Sequence, residues 1–252
     1  MKGMIWFDEI GSTNDECMRR AREGAPEGLM VVTGCQTAGR GRLGRPWASP
    51  RDVGIYASLI LHPPMDVVTL IPLAVGCALA EAVEEELEMK NEEPRMKNRE
   101  CKMGVKWPND VLINGKKISG ILAELEWGGG GATVVVGVGI NVTTELKDLP
   151  RRTLYPASSI LVETGAALDR LALLERWREK FDALYGEVKA HGSAPLVRRW
   201  ERWDALKGHP VRINTQAGWI EGVGDGIDAD GALFVHHPDG TRTRVVAGDV
   251  MP

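Results

Sequence analysis

The ten residues AGRGRLGRPW, Ala38 to Trp47, hold three glycines and three arginines. Gly39, Gly41 and Gly44 match G-x-G-x-x-G, which opens a doubly wound nucleotide-binding fold when a strand precedes it and a helix follows. An apolar run, Leu29 to Thr33, supplies the strand. No helix can follow, because the residues from Arg45 to Arg51 include Pro46 and Pro50 and the next strand-like run begins at Gly54. Asp66 stands near the spacing of a ribose-binding acid, but it follows Pro63 and Pro64 in a turn. The dinucleotide reading therefore fails. Two readings stay open: a solvated basic loop, or a flexible loop that closes guanidinium forks over phosphate and carboxylate oxygens.

The 252 residues can bury one substantial core and leave room for a small second domain. Hydrophobic content of 43% and charged content of 26% are those of an ordinary globular chain, and a net charge of −4 argues against nucleic acid as the main partner. MKGMIWFDEIGSTND carries Asp8 and Glu9 where the apolar part of a signal peptide would run. The longest apolar stretch, Val67 to Ala80, is too short to span a bilayer and contains Thr69 and Pro72. Cys17, Cys35, Cys77 and Cys101 form no C-x-x-C and read as reduced thiols of a cytoplasmic protein. His236 and His237 precede Pro238 in a turn, which speaks against a metal role.

Along the chain, MIWFDEI reads as a strand, and GSTNDECMRRAREG as a helix with Thr13 and Glu16 spaced as a capping box and Gly24 as its stop. Ile55 to Leu61 is strand-like, and Val67 to Glu88 has helical periodicity. Lys90 to Lys102 reads as an exposed, mobile loop. In Gly104 to Trp127, Asn114 and Gly115 mark a type I′ hairpin turn, with Pro108 at a kink before it. A valine-rich strand ends at Asn141; Leu168 to Ala190 and Ala194 to Leu206 read as amphipathic helices. From Lys207 onward, short strands separated by glycine turns suggest a small all-β barrel.

Two clusters place charges beside glycine at strand ends: Gln36 to Trp47 and Lys106 to Lys117. In the second, WPND sets an amide and a carboxylate in a fixed turn, and KKISG sets an ammonium beside a glycine. Asp110 could hold Mg²⁺ while Lys117 neutralises an acid, which together point to nucleotide-driven activation of a carboxylate. A purely structural pairing of Asp110 with its basic neighbours is the competing reading.

GSTN at Gly11 to Asn14, QTAGRGRLGRPW at Gln36 to Trp47, KWPNDVLINGKKISGILAE at Lys106 to Glu124 and GVGIN at Gly137 to Asn141 resemble, in order, the signature motifs of biotin protein ligases. The likeness covers essentially the whole chain and is closest to the short, enzyme-only form without an N-terminal DNA-binding domain. It implies an α+β fold: a mixed-sheet catalytic domain of the biotin/lipoate ligase type over residues 1–206, and a C-terminal SH3-like β-barrel over 207–252. It also implies a two-step reaction, in which ATP, entering with Mg²⁺, adenylates biotin and a lysine of a biotin carboxyl carrier domain then takes the biotinoyl group.

By the same resemblance, Lys117 contacts the biotin carboxylate and α-phosphate, while Arg40 and Arg42 hold carboxyl and phosphate oxygens. Ser12, Thr13, Asn14 and Gln36 surround the biotin head, with Gly39, Gly41 and Gly120 giving close approach. Arg45 faces the leaving pyrophosphate, Trp47 stacks on adenine, Asn141 reads its edge, and Lys106, Asn109 and Asp110 serve the nucleotide, Asp110 as a Mg²⁺ ligand. The arginine loop becomes a lid over the adenylate. The barrel carries no activating residue; its place directly after two helices, with no flexible linker, suggests that it helps dock the carrier and positions nucleotide from the side, with Arg212, Arg242 and Arg244 as partners for an acidic surface. Neither a membrane nor a nucleic acid is implied, and a monomer and a homodimer are both compatible. A lipoate or octanoate ligase of similar fold is the alternative.

Overall fold

The computed structural model describes residues 3–91, 101–128, 131–150 and 153–251. The expected loop from Lys90 to Lys102 lies largely outside the described residues. Seven strands form one mixed sheet: β1 (Met4–Phe7), β2 (Met30–Thr33), β3 (Gly54–Leu61), β4 (Met103–Lys106), β5 (Asp110–Ile113), β6 (Lys116–Gly128) and β7 (Gly131–Asn141). Their spatial order is β1-β2-β3-β7-β6-β5-β4. The β1–β2 pair is parallel and the other five pairings are antiparallel.

Strand periodicity separates two faces. On β7, Val134, Val136, Val138 and Ile140 enter the main core, whereas Val135 joins Cys17, Val31 and Ile60 on the opposite face. Helices α2 (Ile71–Asn91), α4 (Arg170–His191) and α5 (Ala194–Trp203) pack on the first face, and α1 (Thr13–Arg22) covers part of the second. A short helix, α3 (Ile160–Thr164), lies between β7 and α4. The apolar segment Met65–Lys90 is longer than Val67 to Ala80 suggests and could by length and composition cross a bilayer, but 72% of its apolar window is buried beneath α4, α5 and the sheet. It serves as the central core helix.

Local chemistry accounts for the boundaries. Asn114 and Gly115 adopt φ of 53° and 76°, the positive pair that a type I′ turn requires, and join β5 to β6. Asp169 caps α4 by accepting from the amides of Leu171 and Ala172. Helix α5 stops at Trp203, three residues before the expected Leu206, because the chain there turns into a bridge between Asp204 and Val105. The cap of α1 also differs from the sequence reading. Ser12 is the N-cap, and Glu16 pairs with Arg19 and Arg20 instead of closing a capping box with Thr13.

The C-terminal strands β8 (Pro210–Thr215), β9 (Gly218–Ile227), β10 (Leu233–His236), β11 (Arg242–Val245) and β12 (Asp249–Met251) form an antiparallel sheet in the order β11-β10-β9-β8-β12. It docks on the larger sheet through its β9–β10 turn. The buried Trp107 indole donates to the Gly231 carbonyl at 3.0 Å, and Thr69 Oγ1 donates to the Asp230 carbonyl at 2.8 Å. Gly231 sits at φ 79° with Leu73 Cδ1 only 2.8 Å from where a Cβ would lie. Trp107→Phe keeps an aromatic ring but removes the indole N–H and part of the buried volume, so urea unfolding is expected to show a loss of about 1–3 kcal/mol or more.

Candidate active site

Next to the start of α1, the second face of the sheet is floored by small residues. Gly120 on β6 lies opposite Gly139 on β7, and Gly137 lies opposite Ser58 on β3. This floor bounds a cavity of about 440 Å³. A Cβ on Gly137 would fall 2.1 Å from Asn14 Oδ1, and one on Gly139 would fall 2.4 Å from the Trp47 indole, so both neighbours require glycine. The Trp47 indole packs directly against Gly120 and Gly139.

One end of the cavity is neutral and hydrogen-bonded. The Thr13 amide and hydroxyl both donate to Gln36 Oε1, at 2.9 and 3.1 Å, and Gln36 Nε2 donates to Ser49 Oγ. Ser58 Oγ lies 2.7 Å from Thr13 Oγ1 and 2.6 Å from Asn14 Oδ1, and Asn14 Nδ2 donates to Glu124 at 2.7 Å. Ser12, Thr13 and Asn14 are buried at the start of α1. They present paired donors and acceptors to a small polar group.

The other end is charged. The β4–β5 register sets Lys106 opposite Asp110, and the two side chains meet at 3.0 Å. Lys117 reaches the other carboxylate oxygen at 2.6 Å. Lys117 and Gly120 are three residues apart, an odd spacing that would put them on opposite faces of a regular strand. A register shift between Val111 and Leu112 in the β5–β6 pairing corrects this, and Lys117 Nζ comes within 3.2 Å of a Cβ placed on Gly120. Burial pushes the Asp110 pKa up, but Lys106 and Lys117 outweigh it and hold the carboxyl below its ordinary range. Burial pushes the Lys106 ammonium down, Asp110 only partly restores it, and Lys117 and Arg42 add to the depression. The Tyr155 ring lies 4.4 Å from Lys106 Nζ, and the Trp47 ring 5.5 Å from Lys117 Nζ.

Loop 38–47 spans the two ends. The Gly41 amide donates to the Arg45 carbonyl and the Trp47 amide to the Gly39 carbonyl, folding the loop back on itself around exposed Leu43 at φ 56°. Arg40 pairs with Asp15 at 2.7 Å and with Glu124 at 3.3 Å. Arg42 reaches Asn109 Oδ1, the Gly248 carbonyl and Asp249, and Arg45 pairs with Asp249. Of the residues assigned to biotin or nucleotide in the sequence, all but Gly39 line this one cavity, but some of them have different partners. Asn141 is buried and donates to the Ser158 carbonyl, and Asn109 Nδ2 donates to the Ile121 carbonyl, so both brace backbone. Asp110 is taken up by two ammonium groups, and no group of three His, Cys, Asp or Glu side chains able to hold a metal occurs among the described residues.

Comparison with known proteins decides the family. The Biotin/lipoate A/B protein ligase family model matches residues 6–141, and the Biotin protein ligase C terminal domain model matches 208–251. The chain belongs to the biotin/lipoate A/B protein ligase family. The biotin–acetyl-CoA-carboxylase ligase of Paracoccus denitrificans is 32% identical over 242 residues, covering 95% of this chain and 96% of the relative. The bifunctional ligase/repressor BirA of Bacillus subtilis is 32% identical over 250 residues, covering 98% and 73% respectively. Among solved structures, the biotin protein ligase of Aquifex aeolicus in complex with biotin and ATP superposes with a TM-score of 0.78 at 28% identity, covering 99% of this chain and 98% of that one.

Several residues of this family member's site escaped the sequence reading. Ser58, Glu124 and Asp15 come from elements separated by long stretches of chain. Tyr155 belongs to a segment that runs beside Lys117, with the Lys117 amide donating to the Pro156 carbonyl and the Ser158 amide to the Lys117 carbonyl. Asp249 comes from the C-terminal sheet and lines the cavity. The arginines expected to meet an acidic carrier are already paired within that sheet: Arg212 with Glu221, Arg242 with Asp225, and Arg244 with Asp228 and Asp230. Because the Asp110 pKa is depressed on folding, its stabilisation is complete above the unfolded carboxylate value of about 4 and is lost as pH falls below it. Asp110→Asn is expected to cost about 3–5 kcal/mol at neutral pH by leaving two cations unpaired. Urea midpoints measured from pH 5 down to pH 3 should fall less steeply for the variant than for the parent.

Proposed function

We propose that this chain is an ATP-dependent biotin protein ligase and that its cavity binds biotin with the ring system at the neutral end and the carboxylate at the charged end. A carboxylate oxygen attacks the α-phosphorus of MgATP, the bond to the β-phosphoryl oxygen breaks, and pyrophosphate leaves with biotinoyl-AMP formed. A carrier lysine, as its free amine, then attacks the biotinoyl carbonyl; the carbon–oxygen bond to AMP breaks and the amine loses a proton to give the amide.

The observation that carries this reading is the Lys117 ammonium, fixed by Asp110 where the glycine floor meets the arginine loop. A carboxylate approaching a polyanion needs cations at that junction. Thr13 and Gln36, already hydrogen-bonded to each other, suit the ureido ring, with Ser12 and Asn14 beside them. In this reading Lys106 and Asp110 hold Lys117 in place, and Mg²⁺ enters as part of the nucleotide. Arg42 and Arg45 take phosphate oxygens, and Arg40 the acyl-phosphate side once released from Asp15 and Glu124. Trp47 offers its outer face to adenine, while Asn109 and Asn141 keep the surrounding backbone in position. Loop 38–47 closes over the adenylate and keeps water from a hydrolysable anhydride.

The match of residues 208–251 to a biotin protein ligase C-terminal domain favours biotin over lipoate. The partner is a biotin carboxyl carrier domain, and no nucleic acid takes part. The cytoplasm suits cysteines that form no disulfide among the described residues; burial pushes the Cys17 thiol up to about 12 and raises Cys77 as well. Mass spectrometry of a carrier domain incubated with enzyme, MgATP and biotin should show one biotinoyl group on one lysine; no addition, or addition from lipoate in place of biotin, would contradict the reading. Lys117→Ala should slow biotin-dependent exchange of pyrophosphate into ATP by roughly a hundredfold or more. Exchange at the parent rate would remove Lys117 from the adenylation step.

A further inference from the structure

Asp249 is the first residue of β12, paired opposite Asn214 of β8. Strand alternation turns Val250 into the core of the C-terminal sheet and leaves Asp249 facing loop 38–47. Its side chain is only 15% exposed, and it lines the cavity. Arg45 pairs with one of its oxygens and Arg42 approaches the other at 3.8 Å, while Arg42 also bonds the neighbouring Gly248 carbonyl at 3.3 Å. The other cavity-lining carboxylate, Asp110, is bound to lysines on β4 and β6, in the rigid sheet. Asp249 is instead bound to cations on the loop, and those same cations face the phosphate side of the proposed reaction.

The guanidinium edge that a carboxylate occupies is closed to a phosphate, and the carboxylate's charge repels the incoming polyphosphate. We propose that Asp249 competes with the polyphosphate of ATP for Arg42 and Arg45, so that exchange of these two groups between Asp249 and phosphate oxygens sets the affinity for MgATP and for pyrophosphate. The proposal rests on the ligase reading and adds to it a task for the C-terminal domain. MgATP must draw the arginines away from Asp249, and recapture by Asp249 favours departure of pyrophosphate once the adenylate has formed. Asp249 is thus a positioning residue that acts through the arginines, and its charge lowers the affinity for the anionic ligands.

The test is biotin-dependent exchange of pyrophosphate into ATP by the full chain, comparing the parent, Asp249→Asn and Asp249→Glu. Both arginines are partly solvent-exposed, so the Asn variant should lower the KM for MgATP and the half-saturating pyrophosphate concentration by about threefold to fivefold at low ionic strength. The gap should close as salt rises, and the Glu variant should track the parent. Biotin affinity, measured by calorimetry without nucleotide, should be the same in all three. If Asp249 only braced the C-terminal sheet, the Asn variant would melt earlier and its KM would be unchanged or higher. A KM for MgATP that is unchanged or raised in Asp249→Asn overturns the competition. Absence of biotin-dependent exchange in the parent chain overturns the ligase reading on which it rests.

Discussion

One buried carboxylate between two ammonium groups organises the site. Taking Lys106, Asp110 and Lys117 out of water is costly for each group alone, and only their mutual attraction at 3.0 and 2.6 Å makes the burial tolerable. That constraint reaches into the backbone. The β4–β5 register must place Lys106 opposite Asp110, and the irregularity in the β5–β6 pairing must bring Lys117 to the same face. Segment 156–158 then locks against Lys117 through two backbone hydrogen bonds, and Asn141 holds that segment in turn.

Around this charge centre the fold is asymmetric. One face of the sheet is filled by α2, α4 and α5 and supplies nearly all the apolar burial. Next to the start of α1 the other face carries Gly120, Gly137, Gly139 and Ser58, which open a slot in which Asn14 and Trp47 rest directly on backbone. Stability is therefore concentrated on the side away from the chemistry, and loop 38–47 is held chiefly by ion pairs at its two ends. Asp15 and Glu124 hold Arg40, and Asp249 holds Arg42 and Arg45. Such partly exposed pairs are individually weak and readily exchanged, which suits a loop that must let substrates in and keep water out.

Much of this was legible in the sequence because it is local. The Asn114–Gly115 turn, the valine-rich β7, the absence of a helix after Gly44 and the short C-terminal strands follow from turn chemistry and periodicity over a few residues. What escaped is non-local or aperiodic. Thr13 looked like a helix cap, but Gln36, twenty-three residues away, recruits its hydroxyl and leaves the cap to Ser12. A strand irregularity has no signature in KKISG, so the shared face of Lys117 and Gly120 could not be read from spacing. For Asp110 the sequence left a Mg²⁺ role and a structural pairing both open, because the registers that bring Lys106 and Lys117 to it lie on different strands. Asp249 was not singled out because it belongs to the other sheet and comes to the cavity only in the folded chain.

Asp110 acts, on this account, by holding the lysines, and this can be separated from a direct role at the metal or the nucleotide. The measurement is the initial rate of biotinoyl-AMP formation in Lys117→Met, Asp110→Asn and the double variant, each first shown to be folded. If Asp110 works through Lys117, removing both should slow the reaction no more than about threefold beyond the slower single variant, because residues that act as a unit do not add. Losses that multiply in the double variant would contradict the account and assign Asp110 an independent role in the reaction.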